Sequence, residues 1–222
     1  MEIRMKATSP RRRMVIGAAS VAGLLGWAGR PLTAATIDEG IDFRQLGRPV
    51  PTGLAQGKIE VLEFFWYACP HCFALEPYLK PWVSKLPADV VFRKAHVAFR
   101  GSAQQQLFYT LEAMMSPDAT HHKAFEAIHL NRQPLASEAE IFSWAKTASL
   151  DMARFERSWR SPAVANQMKR AVDLQQSHEV DGVPRFTVNG RYVTSPAMVG
   201  GSHQRSLAVV DFLIKKSRDR GA

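Results

Sequence analysis

The sequence predicts an α/β protein in which one sheet is interrupted by an all-helical insertion. Three observations carry that class. Apolar runs with the length and the β-branched or aromatic content of strands stand at 58–68 and 90–99, with a helical segment between them. From Gly101 to about Ser177 the pattern is helical, without a strand signal. Strand periodicity then returns in "RFTVNGRYV" (185–193), ahead of a last amphipathic helix. Two independent domains would leave two pairs of strands as separate, marginal sheets, so a single sheet is preferred. The chain accordingly divides into a leader over 1–35, a first sheet-bearing part over 36–99, the helical insertion over 100–175 and a second sheet-bearing part over 176–222.

The leader carries much of the formal charge of +9. Residues 1–35 hold Arg4, Lys6, Arg11, Arg12, Arg13 and Arg30 against Glu2 alone, and the remaining bases are scattered among acids. That distribution is a mixed solvated surface and gives no indication of nucleic-acid binding. A basic start, an uncharged Gly/Ala/Leu stretch from Met14 to Gly29 and the small residues Thr33-Ala34-Ala35 have the order of a secretory signal cleaved after Ala35. The alternative, a membrane anchor, is short and weakly apolar. Arg11-Arg12 fits a twin-arginine signal as well as an ordinary Sec signal. The mature chain is therefore expected outside the cytoplasm, where disulfides persist.

Turn signals punctuate 36–58, at Gly47-Arg48-Pro49, Pro51-Thr52-Gly53 and Gln56-Gly57. The run "KIEVLEFFWYA" (58–68) is apolar on both pleat faces, as a central strand covered on both sides must be. After Cys72, "FALEPYLKPWVSKL" reads as a helix ending before Pro87, with a kink expected near its second turn because Pro77 and Pro81 each remove a backbone donor. The run "VVFRKAHVAF" (90–99) alternates as a second strand. Within the insertion, Ser116-Pro117 and Ser161-Pro162 each set an N-cap before a proline at the first helical position. Ser137-Glu138-Ala139-Glu140 matches a capping box followed by the stripe Ile141, Phe142, Trp144 and Ala145. The helix after Ser161 carries Val164, Met168, Val172 and Leu174. Asn189-Gly190 supplies the type I′ turn of a hairpin, and the last helix presents Leu207, Val210, Leu213 and Ile214.

Both cysteines of the chain, Cys69 and Cys72, lie in "EFFWYACPHCFALEP", immediately after the first strand. A structural disulfide there closes a very short loop and restrains the unfolded chain little. Structural zinc wants four ligands, and here two thiols have only His71 between them. His121, His122 and His129 cluster in the insertion, but their spacing is as easily a solvated helix face. A redox centre needs fewer assumptions. With Pro70 at the first helical position, Cys69 faces unpaired backbone N–H groups at the positive end of the helix, which favours the thiolate, and His71 adds a polar, potentially cationic neighbour. Each pH unit of depression is worth about 1.4 kcal/mol and, for a two-electron couple, about 30 mV of reduction potential. Such a disulfide accepts electrons readily. Cys72, one turn inward, is the expected resolving thiol, with Cys69 the exposed sulfur that a substrate thiolate attacks. Glu63 interrupts the apolar strand, so a carboxylate buried there must be protonated or find a cation, unless it faces solvent at a sheet edge.

"VLEFFWYACPHC", the helical insertion, "VDGVPRFTVNGRYV" and the terminal helix together resemble the DsbA family of thiol oxidases in the thioredoxin superfamily, over nearly all of the mature chain. The resemblance implies a thioredoxin-like fold with an inserted helical domain, the sheet-bearing parts 36–99 and 176–222 forming the thioredoxin-like domain. Cys69 and Cys72 are then the nucleophile and resolving cysteine of a redox-active disulfide, tuned by Pro70 and His71. An acidic, oxidising cysteine is already an established property of that family. Pro184 takes the place of the family's cis-proline, and Val183 offers backbone groups to an extended substrate. Lys94 matches the cationic partner of Glu63, and Glu76 a further acidic position on the helix. A nearby carboxylate would relay protons to or from Cys72. Phe73, Trp66 and Tyr67 line an apolar substrate groove or simply pack.

The implied activity is donation of the Cys69–Cys72 disulfide to reduced, unfolded exported proteins in the periplasm. A quinone-linked membrane oxidase of the DsbB type would then reoxidise it, and no bound cofactor is needed. Only about 20 residues separate Thr36 from the first strand, so no dimerisation domain is expected there and a monomer is. The rivals are an isomerase or reductase of the same fold and, from another class, an exported copper or zinc carrier using the thiol pair.

Overall fold

The computed structural model describes residues 36–116 and 118–221; the expected leader over 1–35 and Pro117 of the Ser116-Pro117 cap lie outside the described residues. Strand β1 is Arg44–Gln45, β2 Ile59–Phe65, β3 Val90–His96, β4 Arg185–Val188 and β5 Tyr192–Thr194. Among the described residues these strands form one sheet in the order β1-β5-β4-β2-β3. Central β2 is buried at every position and runs parallel to β3 and antiparallel to β4. Its pleat sorts the core by parity. Ile59 and Val61 pack with Leu75, Leu79, Val210 and Leu213, whereas Leu62 and Phe64 pack with Ala95, Val97 and Val180.

Helix α1, Pro70–Val83, begins at the end of β2 and runs through Pro77 and Pro81. It turns Cys72, Leu75 and Leu79 inward. Helix α7, His203–Gly221, lies against it, with Trp82 Nε1 donating to Asp211 at 2.9 Å. The expected apolar face of α7, Leu207, Val210, Leu213 and Ile214, is buried. Between β3 and β4 the helices are α2 (Ala103–Ala113), α3 (Asp118–His129), α4 (Glu138–Thr147), α5 (Met152–Trp159) and α6 (Pro162–Ser177). The capping box opens α4 as expected, Ser137 accepting from Glu140 N while the Glu140 side chain accepts from Ser137 N. In α6 Ser161 accepts from Val164 N and Pro162 is at the first helical position.

Three details depart from the sequence reading. Residues 36–58 hold a two-residue strand, β1, paired to Tyr192 and Val193, too short to leave a periodic signal. The second strand stops at His96, and Phe99 is exposed. In α6 Val172 is also exposed, while Ala171 is buried with Val164; seven residues return a helix almost to the same face, and eight overshoot it. The hairpin turn is as expected, with Asn189 at φ 51° and Gly190 at φ 55°. Gly190 has a second constraint, since a Cβ there would sit 1.8 Å from Val50 O.

Candidate active site

Cys69 is the N-cap of α1, with φ −85° and ψ 116°, and Pro70 follows at the first helical position. Proline has no N–H to leave unsatisfied there, and its fixed φ suits a helix start. Cys72 N and Phe73 N both donate to Cys69 O at 3.1 Å, which fixes the backbone around the first sulfur. Both cysteines are free thiols. Cys72 is wholly buried. Cys69, expected to be exposed, retains only 7% exposure because it sits in the same apolar cluster as Val183 and Phe73. Pro70 and His71 are exposed beside it.

The Val183–Pro184 peptide bond is cis, and the Cys69 thiol donates to Val183 O at 3.4 Å. The fold thus brings the Gly-Val-Pro segment before β4 onto the cysteine at the start of α1. The Cys72 thiol is the strongest influence on Cys69 and favours its anion. Burial opposes this, but the N–H groups of Cys72 and His71, and then the His71 charge, add to the favourable side, and the Cys69 thiol is lowered to about 6. Burial pushes the Cys72 thiol far up, reinforced by Cys69 and by the charge of Glu63. One sulfur ionises readily and the other resists ionisation.

Beneath the thiols lies a charged cluster. Glu63 and Lys94 are directly paired across parallel β2 and β3, so the sheet register itself sets them side by side. Glu63 is fully buried, which excludes the solvent-facing alternative. Lys94 Nζ is 2.5 Å from Glu76 Oε1, 3.2 Å from His121 Nε2 and 3.3 Å from Glu63 Oε2. Among the described residues neither Glu63 oxygen accepts a hydrogen bond despite that last distance. Burial pushes the Glu63 carboxyl up to about 7, only partly offset by Lys94. Burial also opposes ionisation of Glu76, but His121 and Lys94 outweigh it and hold that carboxyl below the usual range. Lys94 stays charged, since its two carboxylates outweigh its own burial.

Sequence reasoning missed the histidines around this cluster. Tyr67, two residues before Cys69, is held at three points: its N–H donates to His96 Nε2 at 3.1 Å, its carbonyl accepts from His129 Nε2 at 2.8 Å, and its hydroxyl is 2.8 Å from His121 Nδ1. Phe73 stacks on His129, with ring centroids 4.9 Å apart and 6° between planes. The reading of His121, His122 and His129 as a solvated face holds only for His122. His121, Phe125 and His129 recur every four residues and turn inward together, the signal that spacing contained. Tyr67 is core, while Trp66 and Phe73 are half-buried. Trp66 joins Ala68, Arg100, Gln104 and Ile128 in a shallow cleft.

Comparison with known proteins gives a consistent result. The family described as the DSBA-like thioredoxin domain matches residues 60–209. The chain is 43% identical over 178 residues to the thiol:disulfide interchange protein DsbA of Bordetella parapertussis, covering 79% of this chain and 84% of that one. It is 38% identical over 201 residues to the DsbA of Pseudomonas aeruginosa, covering 90% and 93%. The crystal structure of Pseudomonas aeruginosa DsbA superposes with a TM-score of 0.79 at 38% identity, over 83% of this chain and 96% of that one. Reduced DsbA1 from Neisseria meningitidis does so with a TM-score of 0.73 at 26% identity, over 85% and 98%. With a thioredoxin-like sheet, a Cys-Pro-His-Cys helix start and this degree of identity over most of its length, the chain belongs to the DsbA family of thiol:disulfide oxidoreductases.

Proposed function

We propose that the chain oxidises reduced exported proteins in the periplasm by donating a Cys69–Cys72 disulfide. The observation that carries this is the asymmetry of the two sulfurs, Cys69 lowered to about 6 and Cys72 buried and pushed far up. A client thiolate attacks Cys69 Sγ, the Cys69–Cys72 bond breaks, and its electron pair leaves on Cys72, which takes up a proton. A second client thiolate attacks the client sulfur of the mixed disulfide. The client disulfide forms, Cys69 leaves as a thiolate, and two electrons remain on the dithiol. A stabilised Cys69 anion makes both the overall reduction and the final release favourable.

In this reading Val183 presents its carbonyl to an extended client backbone beside Pro184, a short strand addition at the reacting sulfur. Glu63, close enough for its charge to act on Cys72, holds the proton that the departing Cys72 sulfur requires, with Lys94 and Glu76 setting its charge state. Periplasmic location rests on the leader read in the sequence and on the family. Reoxidation by a DsbB-type, quinone-linked membrane oxidase rests on the family alone, and the working form is taken as a monomer. Equilibration of the mature chain with glutathione buffers tests the proposal: an oxidising potential is expected, and a thioredoxin-like potential would make the chain a reductase instead.

A further inference from the structure

His129, the last residue of α3, meets the active-site turn on both sides of its sulfurs. The Tyr67 carbonyl is an acceptor only, so the His129 nitrogen 2.8 Å from it, Nε2, carries the proton of that contact. Among the described residues that carbonyl has no other hydrogen-bond partner. Tyr67 is fully buried, so without His129 its oxygen would be stranded away from water. The face of the same imidazole lies flat on Phe73, with 4.9 Å between ring centroids. Phe125, one turn earlier in α3, stacks on both rings, 5.9 Å from Phe73 and 6.1 Å from His129. Tyr67 precedes Cys69 by two residues and Phe73 directly follows Cys72. A single side chain from the helical insertion therefore holds both ends of the Cys69–Cys72 segment.

We infer that His129 is a positioning residue for thiol exchange, fixing the first turn of α1 against Cys69 through its hydrogen bond to Tyr67 and its stacking on Phe73. The inference deepens the oxidase reading above and rests on it for its functional consequence. What the clamp fixes is the set of donors that favours the Cys69 anion. Cys69 N donates to Trp66 O at 3.0 Å, and Cys72 N and Phe73 N both donate to Cys69 O at 3.1 Å. The placement of the sulfur within the turn thus follows from where Tyr67 and Phe73 are held. The N–H groups of Cys72 and His71 stabilise the anion only while they stay within hydrogen-bond reach of it. A turn released at either end lets them drift from the sulfur. His96 accepts from the Tyr67 N–H through Nε2, so that nitrogen cannot also serve the Tyr67 carbonyl as a donor. The Nε2–H of His129 is present in this neutral tautomer and in the imidazolium alike, so the clamp is indifferent to the charge of the ring.

The test is the thiolate titration of Cys69 in the reduced protein, together with its equilibrium with glutathione at pH 7. His129→Phe keeps a ring against Phe73 and removes the donor. The Cys69 midpoint is expected to rise by roughly one pH unit, a tenfold loss of acidity. The equilibrium should then move about fivefold toward the protein disulfide, because less of the reduced form is held as thiolate. His129→Gln returns an N–H donor on a side chain of similar reach and is expected to restore more than half of the midpoint shift. Should the phenylalanine variant not fold, Phe73→Leu reads the other half of the clamp, with a smaller rise expected. An unchanged Cys69 midpoint in whichever of these two variants folds, or equal shifts for phenylalanine and glutamine, overturns the inference. A raised midpoint that glutamine reverses upholds it, since a loss of stability alone would not move the acidity of a folded protein. The oxidase reading fails instead on a thioredoxin-like potential of the unaltered chain, so the two failures are separate readouts.

Discussion

The Cys69 thiol and the Val183 carbonyl, 114 residues apart in sequence, are joined by a hydrogen bond of 3.4 Å. A donor exists for that carbonyl only while Cys69 carries its proton. Oxidation removes it and leaves the oxygen open to a client N–H. Well below pH 6, where reduced Cys69 still carries its proton, a client-derived peptide without cysteine should therefore bind the oxidised form more tightly than the reduced form, by about fivefold if one ordinary hydrogen bond is at stake, and the difference should fade as Cys69 ionises. Calorimetry on both redox forms checks this, and equal affinities would remove Val183 from client recognition.

In Cys72→Ser no internal disulfide can form; the Cys69 thiolate instead attacks a client disulfide, one client sulfur leaves as a thiolate, and no neighbouring thiol in this chain reverses the attack. Mixed disulfides should accumulate on Cys69 in the exported fraction and dissolve on treatment with dithiothreitol, with catalytic turnover lost. A double variant that also carries Cys69→Ser should form none. Adducts that persist in the double variant would show that another group captures the client.

Glu63 has a folded-state pKa raised from the usual 4.5 to about 7. Its contribution to stability is thus greatest below about pH 4.5 and is lost as the pH rises through about 7, because the unfolded chain holds the ionised carboxylate more easily. Glu63→Gln should accordingly gain roughly 3 kcal/mol at pH 8 and little or nothing at pH 4. Urea unfolding at both values measures the difference. A loss of stability at pH 8 would mean that the Lys94 contact stabilises the carboxylate after all.

At the opposite end of the sheet, Gly190→Ala should destabilise the fold by about 2–4 kcal/mol, since the new Cβ would meet Val50 O at 1.8 Å in a turn with positive φ. Thermal unfolding reads the effect. A change within a few tenths of a kcal/mol would show that the 46–50 segment moves aside without cost.

What could be read from the sequence was what local chemistry writes locally. Ser137 and Glu140 form their capping box because both partners lie within one turn. Cys69 and Pro70 take the N-cap and first helical positions because proline's missing N–H costs no bond there and its fixed φ suits a helix start. The roles of Val183, Lys94 and Glu76 came from family resemblance, and their convergence depends on the register of β2 against β3 and β4. The three-point clamp on Tyr67 had no local signal in β2, because its histidines come from β3 and α3. Cys69 proved more covered than a residue at a helix start suggests, since the segment that covers it, Val183-Pro184, arrives from far along the chain.

The central claim is that the outer sulfur is more stable as an anion than an ordinary cysteine. Thiolate absorbance near 240 nm, followed across pH in the reduced mature chain with Cys69→Ser as the blank, measures it directly. A midpoint near 6 for Cys69 is expected, with no ionisation of Cys72 over the same range. A midpoint at the ordinary cysteine value of about 8.5 would contradict the account.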